Sequence, residues 1–336
     1  ARLHGYDQIP TTMPVLRTSG GRNDPRLQWE RKLRALLAGE GLSEAINLPF
    51  TTSSLNESFP GIALQAQPQR PIAVLNPLVK ESAEMRYSLI PGLIENLRVN
   101  SAFKARSFHA YHVGKVFHAN ADDEIIERTN IAALLHGPRG QLGLRFADEK
   151  PIDFLQCKGI VEAILELFHL GDALTWTPAH VAYLHPGKSA QLARGETLVG
   201  VLGEVHPDVM QQLELPSFFL FELDFEKLLE YAPARIKISA LPRFPAVERD
   251  VALVLDRDFP AQQVIHWITA LGEPLIERVE VFDQYVGAPI AAGKKSLAYK
   301  ISYRAEDRTL RDAEINDLHQ RLVEQLGEAF GAERRS

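Results

Sequence analysis

Cysteine is almost missing from this chain. A single thiol, Cys157, in 336 residues excludes a disulfide framework and a thiolate-clustered zinc site, and fits a reducing, cytoplasmic compartment. Also lacking is any apolar run of the roughly 18–20 residues that a membrane span needs. Positive charge is not in excess: 37 Lys and Arg against 43 Asp and Glu leave a net charge of −6. The chain as a whole is therefore no basic nucleic-acid binder, and any RNA contact must be local. What is present is ordinary for a folded protein, with 45% hydrophobic and 24% charged residues. At about 150 residues per domain this length predicts two domains.

The opening Ala1-Arg2-Leu3-His4-Gly5-Tyr6 has no initiator methionine. It reads as the end of an earlier element, so the expectation is a C-terminal piece of something longer. After the Gly/Ser-rich stretch from Thr18 to Arg22, Asp24 and Pro25 signal a helix start. Leu27, Leu33, Leu36 and Leu37 then recur near helical period until Gly39 and Gly41. Leu93 to Lys104 and Phe154 to Leu170 read as further helices, and Ser107 to Phe117, Ile131 to Leu135 and Leu198 to Gly203 as strands. The composition shifts at Ala232 to Pro245, where Pro233, Pro242 and Pro245 suggest a linker. Beyond it the order is strand (Asp250 to Asp256), helix (Pro260 to Leu271), strand (Arg278 to Tyr285), strand (Ser296 to Arg304) and helix (Asp312 to Phe330). That order resembles a split β-α-β, ferredoxin-like sandwich.

Self-contained active sites fail on chemistry. Pro186-Gly187-Lys188-Ser189 ends like a P-loop, but Ala182 stands where the first glycine belongs, and no Gly-x-Gly-x-x-Gly follows a strand. His109, His112 and His118 invite a metal, yet residues three apart on a strand point to opposite faces. Cys157 sits among apolar helix neighbours as a small core residue, and no Gly-x-Ser-x-Gly elbow exists.

The last domain is more informative. Along Ser296 to Arg304 the bulky Leu297, Tyr299, Ile301 and Tyr303 belong against the helices. Ser296, Ala298, Lys300, Ser302 and Arg304 then face the other way. Strict alternation adds Glu280, Phe282 and Gln284 from one strand, and Asp250, Ala252 and Val254 from another. An open sheet face with an aromatic, small residues and a lysine is how RRM-like sheets stack unpaired bases. Aromatic-bearing faces also occur at protein interfaces, so both alternatives stay open on composition alone.

At these residues the chain resembles the C-terminal half of the beta subunit of bacterial-type phenylalanine–tRNA ligase, over essentially its whole length. His4 to Pro10 is similar to the end of the small domain before the synthetase-like core. Asn76-Pro77-Leu78 and Met85-Arg86-Tyr87-Ser88-Leu89-Ile90-Pro91-Gly92-Leu93 resemble one family stretch, and Val113-Gly114-Lys115-Val116-Phe117 a family strand. His185 to Ala190, Gly200 to Pro207, Phe244-Pro245, Arg249-Asp250, Phe282-Asp283, Lys295-Ser296-Leu297 and Arg308-Thr309-Leu310 follow in the family's order.

The resemblance implies an α+β architecture in four parts. Residues 1–15 would be the tail of a preceding small domain, and 16–232 a catalytically silent class II synthetase-like core with an antiparallel sheet flanked by helices. Residues 233–243 would be a linker and 244–336 a ferredoxin-fold anticodon-binding domain. No Gly-rich segment ending in Arg marks a third class II motif, and His112 stands where the family strand has Glu. ATP and Mg2+ would then serve the whole complex and none would be bound here, with the chemistry in an alpha subunit of an expected alpha2beta2 assembly. The implied RNA partner is the anticodon region of tRNA(Phe), with no DNA and no membrane. Asp250 and Asp283 are nominated as hydrogen-bond acceptors beside Phe282, Ser296, Ala298 and Lys300, and Arg243, Arg249, Lys294 and Lys295 as phosphate contacts. The rival expectation is a synthetase-derived protein-interaction scaffold with no tRNA role.

Overall fold

Asp24 accepts a hydrogen bond from the Arg26 amide at 2.9 Å, and Pro25 opens helix α1 (Pro25–Gly39). A residue whose missing N–H costs nothing at that position sits where the sequence places it. This computed structural model describes residues 2–13, 15, 24–62, 70–77, 79–120, 122–138, 151–171, 173–235 and 241–334. The predicted Gly/Ser-rich stretch from Thr18 to Arg22 lies outside them. The chain divides into two units, 1–236 and 237–336.

In the first unit α1 is followed by β1 (Ser43–Glu44), β2 (Phe50–Thr51), α2 (Ser53–Ser58), β3 (Glu84–Met85), α3 (Ile90–Ala102), β4 (Phe108–Ala119) and β5 (Ile125–His136). Then come α4 (Phe154–Leu167), β6 (Thr175–Thr177), β7 (Leu184–Arg194), β8 (Thr197–Val205), α5 (Pro207–Leu213), β9 (Phe219–Asp224) and α6 (Phe225–Tyr231). A seven-stranded sheet runs in the order β1-β4-β5-β9-β8-β7-β6. Its neighbours are antiparallel except at the edge, where β1 pairs in parallel with β4, Ser43 opposite Ala110. The sheet is therefore mixed, a departure from the antiparallel expectation that a two-residue strand cannot announce in sequence.

Helices cover both faces of this sheet, so its central strands read as near-continuous apolar runs. Strand β9 is buried at all six positions. Its Phe219, Phe221 and Leu223 pack with Leu33 and Leu37 of α1 and with Cys157, Ile160 and Ile164 of α4. Leu220 packs instead with Leu93, Ile94 and Leu97 of α3. Period two then puts Glu222 on the α3 side as well.

The second unit contains β10 (Val247–Asp256), α7 (Ala261–Ala270), β11 (Ile276–Tyr285), β12 (Lys294–Tyr303), α8 (Asp312–Phe330) and β13 (Glu333–Arg334). Its sheet order is β11-β12-β10-β13, the split β-α-β pattern expected. The sequence pattern stops at α8, because β13 has only two residues and shows no alternation. Val251, Leu253, Leu255, Leu297, Tyr299, Ile301 and Tyr303 form the core of this unit against Ile315, Leu318, Leu322 and Leu326 of α8.

Candidate nucleic-acid interface and a buried polar cluster

Strand β12 lies inside the small sheet, and Leu297, Tyr299, Ile301 and Tyr303 are buried against the helices. The alternate residues pair across the other face: Ser296 with Val254, Ala298 with Ala252, and Lys300 with Asp250 on β10. On β11, Glu280 stands opposite Lys300. Next comes a bulge, for Val281 opposes Tyr299 while Asp283 opposes Ala298, leaving Phe282 as the extra residue. One extra residue reverses the alternation beyond it. Asp283 and Tyr285 therefore take the open-face register of Ala298 and Ser296, and Gln284 takes that of Leu297. This corrects the outward placement of Gln284 and adds Tyr285, which sequence reasoning missed. Nothing in Val-Phe-Asp-Gln-Tyr marks the bulge.

Phe282 is 53% exposed, and the Lys300 ammonium lies 5.7 Å from its ring centroid. Lys300 also reaches Glu248 at 3.2 Å. Glu248 first, with Asp250 and Glu280 adding, holds this ammonium above the ordinary lysine range. The face thus offers an aromatic, a floor of small residues and several carboxylates. Carboxylates accept from the amino edges of bases and repel phosphates, so this geometry suits unpaired bases better than backbone.

The nominated residues do not all converge. Asp250 and Asp283 are exposed on the open face, with Ala298 and Lys300 between them. Ser296 shares that register but is only 4% exposed. Lys294 stands opposite Asp256 at the end of the sheet, and Arg243 is exposed ahead of β10. Arg249 takes the register of Ile301 and turns to α8, where it donates to Asp312 at 2.9 Å and to Asn316 at 3.1 Å. Lys295 shares the register of Leu255, and burial lowers its pKa against the pull of Asp258. The structure thus separates Arg249 and Lys295 from the group, because alternation assigns them to the helix side.

A second polar assembly lies inside the first unit. The Glu222 carboxylate, fully buried, accepts from Ser88 Oγ at 2.7 Å, the Leu89 amide at 2.9 Å and Asn130 Nδ2 at 3.0 Å. It stands at the start of α3, whose N-terminal residue Leu89 has no side-chain cap. A carboxylate beside free amides at a helix N-terminus is favourable. Burial nevertheless raises the Glu222 pKa, opposed by these three donors and by Arg86. Burial likewise lowers the Arg86 guanidinium to about 10, with Glu222 opposing.

His112, 3% exposed on the same sheet face, is pushed down to about 4 by burial, with Arg86 and Arg34 adding. The unfolded chain takes up this proton near pH 6.5 and the folded chain only near 4, so His112 stabilises fully above the higher value. Stability should fall as pH drops from about 6.5 to 4, by at most about 1.4 kcal/mol per pH unit. His118, also lowered, acts in the same direction. Urea unfolding of His112→Gln should flatten that limb of the stability–pH curve, and an unaltered limb would contradict this account.

This cluster does not fit a nucleotide. Arg86 directs its donors to the carbonyls of Lys115, Asn47 and Leu48, and both Glu222 oxygens are engaged by protein donors. The Gly187-Lys188 segment is no phosphate cradle either. The Gly187 amide donates to His185 Nδ1 at 3.0 Å, and Lys188 is paired with Glu204 at 2.6 Å. A cavity of about 540 Å³ beside Lys188 is lined by apolar Ile152, Phe154, Leu155 and Phe219 together with polar His136, Asp153, Glu204 and Ser217.

A mixed seven-stranded sheet flanked by helices is thus followed along the chain by a ferredoxin-like sandwich with an open sheet face. The matches to known proteins agree. Residues 9–225 match the family described as phenylalanyl tRNA synthetase beta chain CLM domain, and residues 242–335 match the ferredoxin-fold anticodon binding domain. The phenylalanine–tRNA ligase beta subunit of Syntrophotalea carbinolica is 38% identical over 99% of this chain and 41% of its own length. That of Geobacillus kaustophilus is 34% identical with the same coverage, and that of Bacillus subtilis 33%. A pyrrolysyl-tRNA synthetase structure from Desulfitobacterium hafniense aligns over 61% of this chain and 66% of its own, at 13% identity and a TM-score of 0.44. The chain belongs to the phenylalanyl-tRNA synthetase beta chain family. It spans about two fifths of the length of the curated relatives it matches.

Proposed function

We propose that this chain is the part of a phenylalanine–tRNA ligase beta subunit that grips tRNA and assembles with an alpha subunit, while the alpha subunit performs the chemistry. The observation that carries the tRNA role is the open face of the second unit, where the Lys300 ammonium lies over the Phe282 ring and Asp250 and Asp283 stand opposite Lys300 and Ala298. The anticodon region of tRNA(Phe) supplies the unpaired bases such a face stacks. ATP and Mg2+ belong to the alpha subunit in this proposal, which the inward-turned donors of the core support. An alpha2beta2 assembly in the cytoplasm is the expected setting. No helix among the described residues is long and apolar enough to cross a membrane.

The test measures ATP–pyrophosphate exchange and anticodon stem–loop binding with and without the alpha subunit of the same ligase. Exchange by this chain alone overturns the division of labour. Assembly without any RNA binding favours the interaction-scaffold alternative.

For assembly the support is an apolar edge. Strand β1 ends the large sheet, and the chain beyond it exposes Ile46 at 87% and Leu48 at 71%. Val99 and Phe103, at i+7 and i+11 from Gly92 on the α3 side that meets Asn47, are exposed too. A sheet edge followed by contiguous exposed apolar side chains is a protein-docking feature. The double variant Ile46→Asp, Leu48→Asp is expected to weaken alpha-subunit binding at least about 100-fold, since each buried aliphatic side chain contributes roughly 1.5–3 kcal/mol. Analytical ultracentrifugation of the mixed subunits checks it.

A further inference from the structure

Strand β11 carries another bulge near its start. Ile276 opposes Tyr303 while Arg278 opposes Ser302, which leaves Glu277 as the extra residue. A bulge re-aims the side chain it releases. Here Arg304 Nε donates to both Glu277 carboxylate oxygens, at 2.9 and 2.8 Å. Alternation alone would set Arg304 on the open side with Ser302 and Lys300, as a cation free for RNA. Instead its Nη1 donates to the Phe244 carbonyl, and its amide donates to the Leu275 carbonyl at 2.9 Å. Phe244 lies three residues ahead of Val247, where the pairing of β10 with β12 begins. Leu241, Pro242 and Arg243 before it are exposed. The fork of one arginine therefore ties the incoming chain to the start of β11 and the end of β12.

We propose that Arg304, aimed by Glu277, is a positioning residue for tRNA, which fixes the point and direction at which the chain enters the RNA-gripping unit. The inference rests on the tRNA role proposed above and adds a residue that need not touch RNA. A tRNA held by its anticodon while its far end is aminoacylated by the same complex is a two-point ligand. The second contact is then intramolecular, and its effective concentration falls as the connecting chain lengthens or loses direction. Without the clamp, residues 244–246, which precede the paired part of β10, would add up to about 10 Å of free chain, at roughly 3.3–3.6 Å per residue. A lysine cannot replace this arginine, because one ammonium cannot meet a carboxylate and a carbonyl in the planar fork that Nε and Nη1 provide. It does keep the positive charge, and so separates positioning from attraction of phosphates.

The test uses the ligase assembled from the alpha subunit and the beta subunit that carries this chain, and compares Arg304→Lys and Glu277→Gln with the unmodified enzyme. Each is assayed for aminoacylation of whole tRNA(Phe), for binding of the anticodon stem–loop alone, for amide hydrogen exchange over residues 244–248 and for thermal unfolding. Arg304→Lys is expected to raise KM for whole tRNA at least about 5-fold with kcat nearly unchanged, because orientation is lost while the chemistry is not. Stem–loop affinity should stay as it was, and exchange over 244–248 should quicken. Glu277→Gln leaves Arg304 its carbonyl contact and should give a smaller shift of the same kind. It carries the test if Arg304→Lys fails to fold. An unchanged KM in a folded variant, with or without quicker exchange, overturns the positioning role. A fall in stem–loop affinity that matches the rise in KM overturns it too, since the defect then lies in the RNA face itself. A stem–loop that fails to bind even the unmodified enzyme instead overturns the RNA-gripping face on which the inference stands.

Discussion

Phe282→Ala combined with Lys300→Ala is expected to weaken binding of the tRNA(Phe) anticodon stem–loop by about 5- to 150-fold, the span of one lost base stack of roughly 1–3 kcal/mol. The aromatic supplies most of that effect. Phe282 sits at a bulge, half exposed, where an unpaired base can lie against its ring. Lys300 is bonded to Glu248 and has Asp250 and Glu280 close by, so little of its charge is left for phosphates. The salt dependence of affinity should therefore change by no more than about one unit of log–log slope in the double variant. Fluorescence-anisotropy titration at two salt concentrations measures both quantities. Affinity equal to that of the unmodified chain sinks the open-face proposal. Arg249→Ala is the natural control, since that guanidinium faces α8 and should leave RNA affinity unchanged.

Glu222→Ala is expected to destabilise the first unit by about 3–5 kcal/mol, as removal of one partner from a buried charged network does. Ser88 Oγ, the Leu89 amide and Asn130 Nδ2 would lose their shared acceptor, and Arg86 its nearby anion. Differential scanning calorimetry should show a midpoint roughly 6–20 °C lower, at about 2–4 °C per kcal/mol for a unit of this size. Glu222→Gln keeps the shape and one carbonyl acceptor, so its loss should be smaller. A midpoint unmoved by Glu222→Ala would show that α3 does not depend on this anchor.

Both predictions turn on residues whose roles were unequally visible in the chain. Phe282 and Lys300 stood out because a ferredoxin-like pattern leaves one sheet face uncovered, and alternation in Leu297 to Tyr303 says which residues lie there. Glu222 gave no such signal. Within Phe-Leu-Phe-Glu-Leu-Asp it looks like one acid at a strand end, and only the register of β9 against β5, with Glu222 opposite Ala132, buries it beneath α3. Arg86, Gly92 and Gly114 lie in stretches that resemble the family's, and the sequence carries no reason for their being there. The reason is spatial: Arg86 bonds the carbonyls of Asn47 and Leu48, Gly92 lets α3 approach Asn47, and Gly114 makes room for Arg86.

What the sequence determined by itself is whatever depends on near neighbours along the chain. The start of α1 at Asp24 and Pro25, the span of α8, the buried side of β12 and the order of elements in the second unit all follow from caps and from periods of 3.6 and 2. The family match added the domain class. What only the tertiary structure decided is whatever depends on pairing between distant residues. The bulge at Phe282 arises from how β11 meets β12, and it moved Tyr285 onto the open face in place of Gln284. The turn of Arg249 toward Asp312, the parallel pairing of β1 and the two-residue β13 likewise exist only because separate segments meet. Alternation is a local property that one inserted residue can reverse, and the Arg86 guanidinium finds its acceptors only after β4 and the segment following β1 have closed around it.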